Sequence, residues 1–166
     1  SVINIHCIGD SHTNQFIDKI PDDLSSVLFD KYGNSFKKQL DLIASYKHNN
    51  HIQHVIDDKN ITFYSYRVCS NGAYAYNIKN RTSIIYKVLS EIKKNDFCIF
   101  MFGEIDCRYR IFSQSEKDGV SIEEGVRRVV NKYCEDLIEI IKYSNKKKSQ
   151  EEELDFKNII IWGPHP

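Results

Sequence analysis

Short apolar runs that end in polar or glycine-containing turns divide the chain into strand-like and helix-like segments. Apolar runs predict strands over 2–8, 97–102 and 158–162, and alternation of residue types predicts another over 61–68. Apolar residues at helical spacing predict helices over 14–20, 35–46, 73–94 and 121–143. The last helix has the clearest start, because Ser121 and Glu124 have the spacing of a capping box.

Strands that alternate with helices predict a parallel sheet with helices on both faces. The expected fold class is therefore α/β, a three-layer α/β/α sandwich with a parallel, flavodoxin-like sheet, in a single domain over residues 1–166. Ligands of such sheets bind beyond the carboxyl ends of the strands. The turns that directly follow the predicted strands are 9–12, 69–72, 103–106 and 163–165. We expect these turns to gather on one rim of the sheet.

Composition narrows the range of partners and compartments. The formal net charge is zero, with 23 basic and 23 acidic residues, so no global positive field favours nucleic acid. No apolar run approaches the roughly 20 residues that span a bilayer, and no membrane insertion is expected. The five cysteines are widely spaced, and most lie in apolar runs. This usage favours a reducing compartment, so the predicted localisation is cytoplasmic.

The first turn carries the sequence Gly9-Asp10-Ser11-His12 directly after an N-terminal strand. In this feature, and in the order of its later turns, the chain resembles the SGNH (GDSL-type) hydrolase family. Gly72 falls where the second block of that family has a glycine, and Gly103-Glu104-Ile105-Asp106 falls where the third block, G-x-N-D, is expected. The resemblance spans nearly the whole chain.

The resemblance implies a serine-dependent enzyme that needs no metal or organic cofactor. Ser11 would attack an acyl ester, often an acetyl group on a carbohydrate in this family, and form an acyl-enzyme. The backbone N–H groups of Ser11 and Gly72 would hold the oxyanion. The expected partner is thus a small-molecule or glycan ester.

The chain departs from the family pattern at two places. Ile105 stands where the family has an asparagine that donates to the oxyanion, and losing one such donor costs about 10²–10³ in rate. Glu104, Asn71 and Arg108 are the candidates to replace it. The last block, D-x-x-H, does not follow the fourth strand, and the domain is therefore expected to be incomplete at its C-terminus. The resemblance places the catalytic base beyond Pro166, and His165 is the candidate base within the chain.

The residues of the first turn can also be interpreted without the family. A serine hydroxyl becomes a good nucleophile only when a base accepts its proton, and the base is usually a histidine oriented by a carboxylate. His12 follows Ser11 directly, so we expect its side chain to point elsewhere. Asp10 is expected to tie the turn together through hydrogen bonds rather than to transfer protons. The alternative for Ser11 is a serine that caps a helix.

Other polar residues of the predicted rim have a structural and a functional interpretation. Gly72 fits a plain turn as well as an oxyanion donor, while Gly103 allows a close approach of the backbone to a ligand. Asn71 is a further substrate-binding candidate on the rim. Glu104 and Asp106 fit substrate contacts or a loop that caps the next segment.

Two charged or ligating clusters remain. Arg108 and Arg110 could bind an anionic or sugar substrate, but pairing with Glu104 and Asp106 is the favoured interpretation. The H-x-x-H-x-x-H pattern of His48, His51 and His54 is poor helix material, and we favour a solvated loop over a zinc site.

Two further function classes stay open. The sheet could belong to a non-catalytic carbohydrate-binding or interaction module, which Ile105 and the missing D-x-x-H favour. It could also be a flavodoxin-like domain that binds a nucleotide or cofactor. The chain lacks G-x-G-x-x-G and G-x-x-x-x-G-K-[ST], so this alternative ranks third.

Overall fold

The computed structural model describes residues 2–25, 27–28, 36–68 and 75–163, which form a mostly parallel α/β sheet with helices. The strands are β1 (Val2–Gly9), β2 (His51–Ile56), β3 (Lys59–Arg67), β4 (Phe97–Met101) and β5 (Ile159–Ile161). Their order is β2-β3-β1-β4-β5, and β1 pairs in parallel with both β3 and β4. Each of the four strands predicted from the sequence is present, within two residues at each end.

The helices follow the predicted pattern less closely than the strands. They are α1 (Phe36–Asn49), α2 (Thr82–Ser90), α3 (Ile111–Asp118) and α4 (Ile122–Lys146), with 3-10 segments at Ser11–Phe16, Ile78–Arg81 and Phe156–Asn158 and a π-helical turn at Asp106–Arg110. The predicted cap of α4 is confirmed, because the Ser121 side chain accepts the N–H of Glu124. None of the described helices is long and apolar enough to cross a membrane.

Two helix predictions need correction. The helix predicted over 14–20 is a 3-10 segment that begins at Ser11 and stops where Ile17 turns extended. A buried aspartate caps the segment at position 10, which sets its start earlier than the apolar pattern does. The helix predicted over 73–94 is shorter, since regular helix occupies only Thr82–Ser90 and residues 73–74 lie outside the described residues.

The prediction of an all-parallel sheet is wrong at one edge. Strand β2 runs antiparallel to β3 and includes His51 and His54, which were expected to lie in a solvated loop. The two strands are joined by Asp57 and Asp58, which have positive φ values of 49° and 61°. Two consecutive residues in this region form the tight hairpin turn that aspartate tolerates. Most residues of this edge strand are exposed, so its sequence lacks the apolar pattern from which a buried strand is predicted.

The two faces of the sheet differ in what covers them. One face contributes Ile8, Tyr66 and Phe100 to the larger core, which α1, α2 and α4 complete. The other face holds a smaller cluster of Cys7, Ile99 and Met101, against which Phe16 and Trp162 pack. The arrangement is compatible with a three-layer α/β fold.

The strand order also locates a crevice at the carboxyl ends of the strands. The chain leaves β1 toward β3 on one side and reaches β4 on the other side, so the order reverses beside β1. In open α/β sheets, this reversal is where ligands bind. The turns after β1 and β4 therefore border the expected ligand site.

Candidate functional site

The turn after β1 begins in close contact with β4. A Cβ atom on Gly9 would lie 2.2 Å from the carbonyl oxygen of Met101, a distance that no side chain tolerates. The backbone N–H of Asp10 donates to the same carbonyl at 3.1 Å. Position 9 therefore requires glycine, because β1 and β4 approach each other here through their backbones.

Asp10 holds this turn together, as the sequence analysis predicts. Its side chain is almost fully buried, and its Oδ1 accepts the backbone N–H of His12 at 2.9 Å. The hydroxyl and the N–H of Thr13 both donate to the carbonyl oxygen of Asp10. Asp10 is thus the N-cap of the 3-10 segment, and the alternative in which Ser11 is the cap does not apply.

Ser11 is exposed at the first position of the 3-10 segment. Within the described part of the chain, its hydroxyl makes no hydrogen bond. Its capping function is taken by the neighbouring carboxylate, so none of the residues that the structure describes uses this hydroxyl to hold the turn. An exposed and unengaged serine at the reversal of the strand order is free to meet a ligand.

His12 forms a pair with Asp10 that the sequence analysis did not predict. Its Nδ1 lies 2.9 Å from Oδ1 of Asp10, and its side chain is 32% exposed while that of Asp10 is 3% exposed. Side chains two positions apart do not meet on an α-helix, but a capping residue lies outside the helix and can reach the ring. The Asx-like turn of Asp10 was the available signal.

The turn after β4 lies beside the first turn and completes a shallow depression. Gly103 adopts φ +116°, which side chains rarely allow, so the glycine has a conformational reason. Asp10, His12, Glu104 and Trp162 line the depression together with the end of β4. Its volume is about 10 Å³, which is room for about one water molecule.

Asp106 ties this turn to the segment that precedes α2. It is fully buried and accepts the backbone N–H groups of Ala75, at 2.6 Å, and Tyr76, at 3.2 Å. Burial raises the pKa of Asp106 above its ordinary value, against the effect of these hydrogen bonds. Asp106 therefore connects two turns of the rim through its carboxylate, and its buried position keeps it away from solvent and substrate.

The remaining polar residues of the third turn form a local network. Arg108 donates to Glu104 and pairs with it, in agreement with the favoured interpretation, and Arg110 stacks 4.3 Å above the ring of Tyr76. Ile105 is half-buried at the place of the family's asparagine. The Glu104 carboxylate only accepts hydrogen bonds when ionised, so it is a poor replacement for an oxyanion donor.

The structure does not describe three of the predicted site residues. Asn71, Gly72 and His165 lie outside the described residues.

The histidine cluster adopts a different structure from the predicted loop. His48 lies in the last turn of α1, while His51 and His54 lie on β2, with Nδ1 of His51 hydrogen-bonded to the carbonyl of His48. In the described ranges, no three histidine, cysteine or acidic side chains gather as metal ligands.

Comparisons with known proteins add no further constraint. No family model matches the chain, and neither the curated proteins nor the solved structures contain a match. The SGNH resemblance therefore depends on the motif residues alone.

Proposed function

We propose that this chain is an SGNH-like esterase or acyltransferase that hydrolyses or transfers an acyl ester through an acyl-enzyme on Ser11. The proposal includes the finer fold, a three-layer sandwich with a flavodoxin-like order of its parallel strands. The parallel strands have the order β3-β1-β4-β5, which is the second, first, third and fourth along the chain.

The proposal depends mainly on the difference between Asp10 and Ser11 in the first turn. Asp10 is buried and caps the 3-10 segment, while Ser11 is exposed and has no structural partner among the described residues. The cap is complete without the serine, so none of the described capping hydrogen bonds uses the Ser11 hydroxyl. Its availability beside an aspartate–histidine pair supports a nucleophile.

The site also fits the second half of an ester reaction. A resting acyl-enzyme needs one water near a base, and the depression beside His12 has room for about one water molecule. Trp162 borders the same depression, and an aromatic surface favours stacking with a sugar ring. These features support a small acyl group, such as acetyl, on a carbohydrate.

A fluorophosphonate probe tests the proposal directly, because it forms a stable bond only with an activated serine. We expect intact mass to show one adduct on the wild-type chain and none on Ser11→Ala. Ser25→Ala is the matched control, since Ser25 is a buried serine away from the rim, and it should keep the adduct. An unlabelled wild-type chain would contradict the proposal.

A second candidate function is a non-catalytic module that binds a carbohydrate or another partner. The half-buried Ile105 favours it, because an apolar side chain replaces the donor that an oxyanion needs. In this case, the probe gives no adduct, while a panel of acetylated and unmodified oligosaccharides still shifts the amide signals of residues 10–12 and 104 in NMR spectra.

A further inference from the structure

We propose that His12, oriented by Asp10, is the catalytic base of this chain. The proposal depends on the function proposed above, because it assigns the proton acceptor for Ser11. It differs from the sequence expectation, in which the base is His165 or a histidine beyond Pro166.

The geometry of the pair assigns the protons of the ring. Nδ1 of His12 lies 2.9 Å from the buried carboxylate of Asp10, which can only accept a hydrogen bond when ionised. Nδ1 therefore carries the proton, and Nε2 of the neutral ring has its lone pair available. Among the described residues, Nε2 has no hydrogen-bond partner. A base for ester chemistry needs this tautomer with this free nitrogen.

The surroundings of the pair also suit a base. The His12 side chain is about one-third exposed, so substrate and water can reach it, while Asp10 is shielded from solvent. His12 lines the depression that has room for about one water molecule. Ser11 lies between the two partners in the chain, so the hydroxyl, the carboxylate and the imidazole belong to one turn.

The proposed reaction uses one water as a proton relay. As Ser11 Oγ bonds to the carbonyl carbon, its proton passes to the relay water, and a proton of that water passes to Nε2. The ester C–O bond breaks, and the leaving alkoxide takes the proton back from the imidazolium. A second water then attacks the acyl carbon, Nε2 accepts its proton, and that proton returns to Ser11 Oγ as the acyl–serine bond breaks.

Asp10 is a positioning residue in this scheme. Its Oδ1 also accepts the backbone N–H of His12, so the carboxylate is fixed independently of the ring. For this reason, His12→Ala should keep the capped turn and fold normally. The side chain of residue 12 can thus be removed without removing the cap.

The test measures the rate of fluorophosphonate labelling at Ser11 in His12→Ala. We expect the rate to fall by about 10²-fold or more, which is the usual contribution of a general base. Added imidazole should restore part of the rate, since it can occupy the vacated space and accept the proton. His54→Ala is the matched control, because His54 is exposed on β2, and its rate should equal that of the wild type.

A second measurement addresses Asp10 through the ring itself. Nitrogen NMR of the wild-type chain should show His12 protonated at Nδ1 and unprotonated at Nε2 in its neutral form. Asp10→Ala should change this tautomer, because it removes the Oδ1 acceptor that holds the proton on Nδ1. A purely structural cap would leave the tautomer unchanged.

The outcomes separate this inference from the function on which it depends. Labelling of Ser11 that His12→Ala leaves at the wild-type rate overturns the assignment of the base and leaves the esterase proposal standing. The same holds if His165→Ala, and not His12→Ala, abolishes labelling. A wild-type chain that forms no Ser11 adduct overturns both proposals.

Discussion

The described residues contain two aspartate–histidine pairs with the same 2.9 Å separation and opposite surroundings. His6 and Asp96 form one pair inside the protein, where the His6 side chain is 0% exposed. His12 and Asp10 form the other on the rim, where the His12 side chain is 32% exposed. The interatomic distance alone therefore cannot distinguish a structural pair from a chemical one.

The difference lies in the second ring nitrogen. In the interior pair, Nε2 of His6 meets Asp96 and Nδ1 lies 3.0 Å from the Tyr66 hydroxyl, so both nitrogens are engaged. In the rim pair, Asp10 engages Nδ1, and the described residues leave Nε2 without a partner. A histidine with two partners stabilises the fold, whereas a histidine with one partner can accept a proton.

The strongest test of this contrast compares the removal of each ring. His6→Ala leaves Asp96 and Tyr66 without their partner in the interior and opens a cavity, so we expect a loss of about 3–5 kcal/mol in the free energy of unfolding. His12→Ala removes a partly exposed pair, for which we expect at most about 1 kcal/mol. Urea unfolding at neutral pH measures both. Equal losses would contradict the assignment of different roles.

A second test disturbs the packing of β1 against β4 next to the rim pair and leaves Asp10 and His12 unchanged. Gly9→Ala places a methyl group against the Met101 carbonyl, so β1 and β4 must separate. We expect a loss of about 3 kcal/mol and a reduced rate of Ser11 labelling. Gly163→Ala is the control, because a Cβ there meets no atom of the described residues within 4 Å, and it should change stability by less than about 0.5 kcal/mol. Thermal unfolding of both variants decides the comparison.

The interior pair also predicts a dependence of stability on pH. Burial lowers the pKa of His6 below 6.5, although the hydrogen bond and charge of Asp96 act in the opposite direction. Near pH 6.5 the His6 ring binds a proton in the unfolded chain but stays neutral in the native chain. The free energy of unfolding therefore decreases as the pH falls below 6.5. The slope from this group is at most about 1.4 kcal/mol per pH unit.

NMR titration of the His6 ring measures the cause of that slope. We expect its midpoint below 6.5, while unfolding experiments at several pH values record the loss of stability. The pKa of Asp96 is lowered as well, so its own contribution persists until the pH falls below about 3.8. A His6 midpoint at or above 6.5 would show that the carboxylate outweighs burial.

The smallest effect comes from one hydroxyl of the interior pair. Tyr66→Phe leaves Nδ1 of His6 without its partner, and we expect a loss of about 1 kcal/mol in the free energy of unfolding. Tyr64→Phe is a close control, because the Tyr64 ring stacks on His6 at 5.0 Å without a hydrogen bond to it. Its expected change is below about 0.5 kcal/mol. Similar losses in both variants would argue against engagement of Nδ1.

The elements that sequence predicted well are those with a buried apolar pattern. Strand β4 is a continuous apolar run and β1 a mostly apolar one, both in the centre of the sheet, and the amphipathic pattern of α4 has its predicted cap. Strand β2 escaped prediction because most of its residues are exposed at the edge, although Asp57 and Asp58 carry the composition of a hairpin turn.

In the candidate site, too, sequence predicted the features that are local along the chain and missed the contacts that depend on the fold. Gly9, Asp10 and Ser11 could be assigned to one turn after a strand, because the sequence places them at the end of an apolar run. The partner of His12 was missed, since the apolar pattern placed the helix start at residue 14, whereas the 3-10 segment begins at Ser11 with Asp10 as its cap. Asp106 likewise binds residues about 30 positions away, a contact that local sequence does not encode.

The close approach of Gly9 to Met101 has a consequence for how this motif would change among descendants of the chain. Steric exclusion at position 9 and burial at position 10 act on any descendant that keeps the sheet, active or not. Selection for folding alone would therefore preserve the glycine and the aspartate. Among the described residues, the exposed serine meets no such constraint, so its persistence in a lineage would indicate selection for chemistry rather than for structure.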